Sequence, residues 1–149
     1  MTSELQQAPT LAAVRRILLL VLVVGMLGTG TELLLLKHDE GAIQLIPLVL
    51  IGGALAACAW QALKPGRASL SALQIMMVLF ILAGVLGMYF HLEAIAQFQR
   101  EVDPSTAGMA LFWKAMTAKT PPALAPGSMA QLGLIGLVYA FRHPSGNAF

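Results

Sequence analysis

Four long apolar stretches, at residues 17–36, 42–63, 70–90 and 123–141, take up most of a chain of 149 residues. Each comes close to the roughly 20 residues that cross a hydrocarbon core as a helix. Lipid offers no partners to backbone N–H and C=O groups, so stretches of this kind must be helical. Too little chain is left over for a soluble domain. The sequence therefore reads as an all-α integral membrane protein, a four-span up-down helix bundle with a short interfacial helix in the third loop. The expected limits are one membrane domain over 1–149. It has a cytoplasmic tail at 1–14, spans at about 15–37, 42–63, 69–98 and 123–142, and the interfacial helix at 104–118.

Composition agrees with lipid as the solvent. The chain is 58% hydrophobic and 11% charged, where a soluble domain carries roughly 25% charge. The formal net charge of +2 comes from scattered residues, a pattern unlike the clustered basic face of a nucleic-acid binder. Cys58 is the sole cysteine, so an intramolecular disulfide, a C-x-x-C redox pair and a thiolate metal cage are all excluded. Arg15 and Arg16 precede the first apolar run as they would in a signal peptide. That run is too long for a signal core and leads through Glu32 into four leucines, so it reads as a retained span.

Short flanking segments set the orientation. Arg15, Arg16, Lys64, Arg67 and Arg142 flank one side. Lys37, Arg100, Lys114 and Lys119 fall on the other, three of them in the long third loop and several offset by acids. The reading is a bacterial inner-membrane protein with both termini and the second loop in the cytoplasm. In the third loop, Asp103-Pro104 has the form of a helix start. Met109, Phe112, Trp113 and Met116 follow at helical spacing. Such a stripe suits either the membrane interface or the end of the bundle. In the last span, Pro121, Pro122 and Pro126-Gly127 act as breakers. The helix is then expected to begin at Ser128, with Ser128 and Gln131 forming a capping box.

Small residues four apart mark the expected helix contacts: Gly52 and Ala56, Gly53 and Ala57, Ala83 and Gly87, Gly136 and Ala140. Depth along each span places Glu32, Gln44, Tyr89, His91, Ser128 and Gln131 in one polar layer beneath the outer surface. A carboxylate there is either a structural clasp, holding Tyr89, His91 or the first amides of the last helix, or a coupling group for protons or ions. A metal or haem site would draw on His38, His91, Glu93 and Glu32, but no specific ligand spacing occurs, and no cofactor is favoured. No triad or phosphate loop is present either. The leading expectation is a non-catalytic accessory or structural subunit whose partners are the bilayer and other membrane subunits or further copies of itself. The alternatives are a small transporter or channel using Glu32, or a metal- or haem-binding membrane protein.

Overall fold

The computed structural model describes residues 2–36, 41–118 and 124–146. It contains five α-helices: α1 (Thr2–Leu35), α2 (Ala42–Leu63), α3 (Arg67–Val102), α4 (Gly108–Met116) and α5 (Leu124–Ala140). A 3-10 turn, Pro144–Gly146, follows. No strand occurs among the described residues.

Three of the helices are long and apolar enough to cross a membrane: α1 from Pro9, α2 from Ile43, and α3. The protein itself buries only 11%, 22% and 28% of their apolar windows. Leu20, Val24, Val49, Ile75 and Leu82 all face outward. A soluble protein rarely exposes so continuous an apolar surface, and this one suits multi-pass contact with a bilayer.

Neighbouring helices run in opposite directions. Ile51 of α2 lies against Gly30 of α1, Met76 of α3 against Gly53 of α2, and Leu132 of α5 against Gly25 of α1. Hydrogen bonding adds Gln61 to Ser69 and Arg15 to Arg142. Around the bundle the order is α1, α2, α3, α5. The backbones of the diagonal pairs, α1 with α3 and α2 with α5, stay apart among the described residues. Leu22, Met26, Leu73, Met77 and Phe80 fill the centre with no exposure.

The tightest seam joins α3 to α5. A Cβ added at Gly84 would stand 2.7 Å from the Pro126 carbonyl oxygen and 2.8 Å from the Ala130 nitrogen. One added at Gly133 would stand 2.6 Å from the Met77 carbonyl oxygen. These obstacles are backbone, so they cannot swing aside. Gly136 instead leaves room for the Met77 side chain, and Gly87 meets the Pro126 ring. Ala57 and Ala140 are buried and Ala83 is half-buried against the core. Gly52 and Ala56 face away from the bundle, and a Cβ at Gly52 would meet nothing within 4 Å.

Four helices differ in their boundaries from the sequence expectation. Helix α1 starts at Thr2, so the polar lead is helical and takes Pro9 into the helix. Helix α3 is longer than its expected span at both ends. Asp103-Pro104 does not open α4. Asp103 closes α3, and its carboxylate then holds the following turn by accepting from the Ser105 N–H, the Ser105 and Thr106 hydroxyls and Lys114 Nζ. These donors hold the Asp103 carboxyl well below the usual carboxylate range. Helix α4 starts at Gly108, whose φ of +58° favours glycine. Its inward residues are Leu111 and Ala115, packed on Leu92, Ile95 and Ala96 of α3. Met109, Phe112 and Trp113 face outward. Helix α5 starts at Leu124 instead of Ser128. Pro126 then sits in the first turn, where its missing N–H has no intrahelical acceptor to lose. Pro121 and Pro122 lie outside the described residues.

The glycine geometry makes a paired prediction. Gly84→Ala or Gly133→Ala should lower stability by about 1–3 kcal/mol, the usual range for overpacking. Gly52→Ala should leave it unchanged or raise it by up to about 1 kcal/mol through helix propensity. Thermal unfolding in detergent compares all three.

Candidate functional site

The polar residues expected near the outer surface do not converge. Glu32, Gln44, Tyr89, His91 and Gln131 are exposed, and Ser128 is half-buried. Glu32 on α1 and the pair Tyr89 and His91 on α3 belong to diagonal helices whose backbones stay apart. Tyr89 packs edge-on against Phe90, with ring centroids 5.7 Å apart. Glu32 lies in a shallow concavity whose whole lining comes from α1: Val24, Leu27, Gly28, Thr31, Leu35 and Leu36 beside Glu32 itself. The carboxylate therefore faces away from the bundle. His38 lies outside the described residues. Glu93 accepts from Gln97 Nε2 at 3.2 Å and pairs with Arg100 at 3.8 Å, which ties it along its own helix. Among the described residues no three His, Cys, Asp or Glu side chains form a metal-sized group.

Side-chain polarity is instead concentrated at the opposite end, around Gln61. This residue ends the apolar run of α2 and is only 2% exposed. A tight Lys64-Pro65-Gly66 turn brings the first turn of α3 back beside it. Ser69, 1% exposed, donates its hydroxyl to Gln61 Oε1 at 2.6 Å. Ser69 Oγ in turn accepts the Gly66 N–H at 3.0 Å, which caps α3. Gln61 Nε2 donates to Ser145 Oγ at 3.3 Å, and the Gln61 side chain also pairs with the Tyr139 hydroxyl. One amide thus joins α2, α3, α5 and the C-terminal turn.

The fourth helix enters through Arg15. Its Nη2 donates to the Arg142 carbonyl oxygen at 2.9 Å, satisfying an acceptor beyond the end of α5. Arg142 has a φ of 46°, a left-handed residue just past the end of α5 in a position glycine usually takes. That turn swings His143 back against Tyr139, with ring centroids 5.0 Å apart. Ser145 N–H donates to His143 Nδ1 at 3.2 Å, so the neutral ring carries its proton on Nε2. Burial and then the Arg15 charge push the His143 pKa down.

The arrangement is a structural clasp. Among the described residues no buried side-chain nitrogen or oxygen lacks a hydrogen-bond partner. The sequence carried a usable signal: Gln61 is the only amide in the second half of its run, and Ser69 follows eight residues later across a Pro-Gly turn. Read together, they predict an amide and a hydroxyl facing each other across a hairpin. Comparison of the chain with family models, curated proteins and solved structures finds no match.

Two outcomes follow from the clasp. Gln61→Leu strands the partners of a buried amide and should cost about 1–3 kcal/mol, whereas Gln44→Leu, at an exposed position, should change stability little. The second outcome concerns pH. The folded state holds His143 neutral, with its pKa lowered. As pH falls below about 6.5, the unfolded chain takes up a proton that the folded chain resists. Stability should therefore be level above that pH and decline below it. Thermal unfolding of the wild type and of His143→Gln across this range checks the sign, because the variant should lose that part of the acid-side decline.

Proposed function

We propose that this chain is a non-catalytic accessory or structural subunit of a membrane complex. It crosses a bacterial inner membrane four times as an up-down bundle, with both termini in the cytoplasm. Helix α5 serves as the fourth span: its 17 residues reach roughly 25 Å, and the Arg15–Arg142 contact extends the bundle beyond it. Helix α4 lies at the outer interface, with Met109, Phe112 and Trp113 toward lipid headgroups.

The observation that carries this reading is the allocation of polarity. The bundle centre is filled by apolar side chains, and the buried polar ones, Gln61 and Ser69, are bonded into the clasp. Most side chains facing out along the three long helices are apolar. Among them is the Gly52–Ala56 face, flat enough for another helix to approach closely. Such a surface suits packing in a membrane assembly.

One observation bears on the transporter alternative. Glu32 faces away from its own bundle, so a coupling role for it requires an interface with another copy.

The test is purification in mild detergent, with identification of co-purifying chains and an absorption and metal scan. The expected result is a set of other membrane subunits, with no Soret band and no bound metal. A homo-oligomer alone, whose proton-linked flux in proteoliposomes is abolished by Glu32→Gln while stability is kept, would replace the accessory reading with transport.

A further inference from the structure

Glu32 is a charged side chain set in an otherwise apolar face. It lies in the shallow concavity that α1 alone forms, with Leu27, Gly28, Thr31 and Leu35 exposed around it. Helix register gives its depth. Ile51 of α2 meets Gly30 of α1, and Ile51 is the tenth of the 22 residues of α2. Glu32 stands two residues beyond Gly30, toward the end of α2 that carries Ala42. Its level is therefore roughly 10 Å inside that end, at 1.5 Å per residue. Among the described residues no ion pair or hydrogen bond reaches the carboxylate. The neighbouring Thr31 hydroxyl donates instead to the Leu27 carbonyl oxygen at 2.8 Å. A carboxylate left bare against lipid at such depth is costly, and intramembrane charges are found paired. Gly28 lies one turn away on the same face, with open space where a Cβ would stand. A second helix can approach the α1 backbone closely there.

The carboxylate calls for a cation, and this chain does not bring one to its level among the described residues. Helices α2 and α5 carry no charged residue and no histidine. Arg15, Arg16 and Arg67 belong to the clasp end, and Arg100 pairs with Glu93 in the projecting part of α3. Met76 of α3 meets Gly53 of α2, a register that sets His91 roughly 15 Å farther out than Glu32. A second copy in the same orientation would meet Glu32 with Glu32 if α1 packed on α1.

We propose that this face of α1 docks a membrane-spanning helix of another subunit, one that carries a lysine or arginine at the depth of Glu32 and pairs it with the carboxylate. The proposal rests on the subunit reading and states the chemistry of what that subunit meets.

The test places a photoreactive residue at Leu27 or Leu35 of the full chain in its native membranes, with the adducts identified by mass spectrometry. The expected adduct joins another protein through an apolar segment that contains a lysine or arginine. Glu32→Lys should reduce it by about tenfold or more, because two cations would then face each other in an apolar layer. Changing the partner's basic residue to glutamate should restore it. Gly28→Leu should reduce the same adduct by filling the space between the helices. Lys37, five residues on in the sequence, lies outside the described residues, and Lys37→Gln should leave the adduct unchanged. None of these variants should shift the melting temperature of the isolated chain in detergent. A shift for Glu32→Lys, or loss of the adduct with Lys37→Gln, would mean that the carboxylate is held within its own chain and would overturn the proposal. So would an adduct with α1 of a second copy, an adduct with a segment lacking a cation, or lipid adducts alone; if other subunits still co-purify, the subunit reading survives each of these. The absence of any co-purifying chain would remove both.

Discussion

Backbone-to-backbone contact between α3 and α5 is the constraint on which the bundle depends. Within lipid, helices gain nothing by hiding apolar side chains from one another, since the tails are equally apolar. Association then rests on close packing and polar contacts. Helix α5 has few polar groups to offer along its length, and only 17 residues. Gly133 against the Met77 carbonyl, and Gly84 against the Pro126 carbonyl and the Ala130 nitrogen, bring the two main chains together, while Gly136 and Gly87 make room for the Met77 and Pro126 side chains. Once α5 is fixed there, its other side lies against α1, and the ring of four helices closes.

Packing alone leaves rotation and sliding poorly determined, because apolar contacts have no direction. The clasp supplies direction. Gln61 has one acceptor and two donor hydrogens, and its partners come from α3, α5 and the C-terminal turn. An unpaired amide at such a buried position would cost more than an ordinary loss of contact, so alternative registers are penalised. Arg15 adds α1 through a single hydrogen bond to Arg142. The geometry that makes this possible is the left-handed turn at Arg142, an uncommon conformation for a residue with a side chain.

The helices were legible in the sequence because span length and apolar continuity are one-dimensional quantities. Azimuth was not. Glu32 was expected to hold Tyr89, His91 or the first amides of the last helix, which needs an inner face, and it points outward. Its helix is apolar on nearly every side, so no polar stripe reveals which face is buried. Leu22, Met26 and Leu33 turn inward, while Val24, Leu27, Gly28 and Thr31 turn out. The adjacent pairs Gly52/Ala56 and Gly53/Ala57 pose the same ambiguity, and only the second packs against α3. Gly84 and Gly133 escaped notice because their spacing to Gly87 and Gly136 is three, not four. The start of α5 was misjudged because Pro126-Gly127 was taken as a breaker, although proline is permitted in a first turn. Helix α1 reaches back to Thr2 because Glu4, Leu5, Gln6, Gln7 and Ala8 are good helix formers.

Helix lengths then give the two ends different characters. Helix α2 has 22 residues and reaches roughly 33 Å, close to a bilayer core. Helices α1 and α3, with 34 and 36 residues, exceed that thickness by about 20 Å each. Their antiparallel register sends the surplus to opposite sides. The surplus of α1 is its N-terminal part, which leaves the bundle at the clasp and carries Arg15 and Arg16 at its exit. The surplus of α3 is its C-terminal part, where Glu93, Arg100 and Glu101 replace the apolar run and α4 folds back onto it. A single up-down bundle thus presents a compact basic rim on one side and a projecting helical hairpin on the other. Any partner beyond the apolar spans has the hairpin as the larger handle and the basic rim as the smaller one.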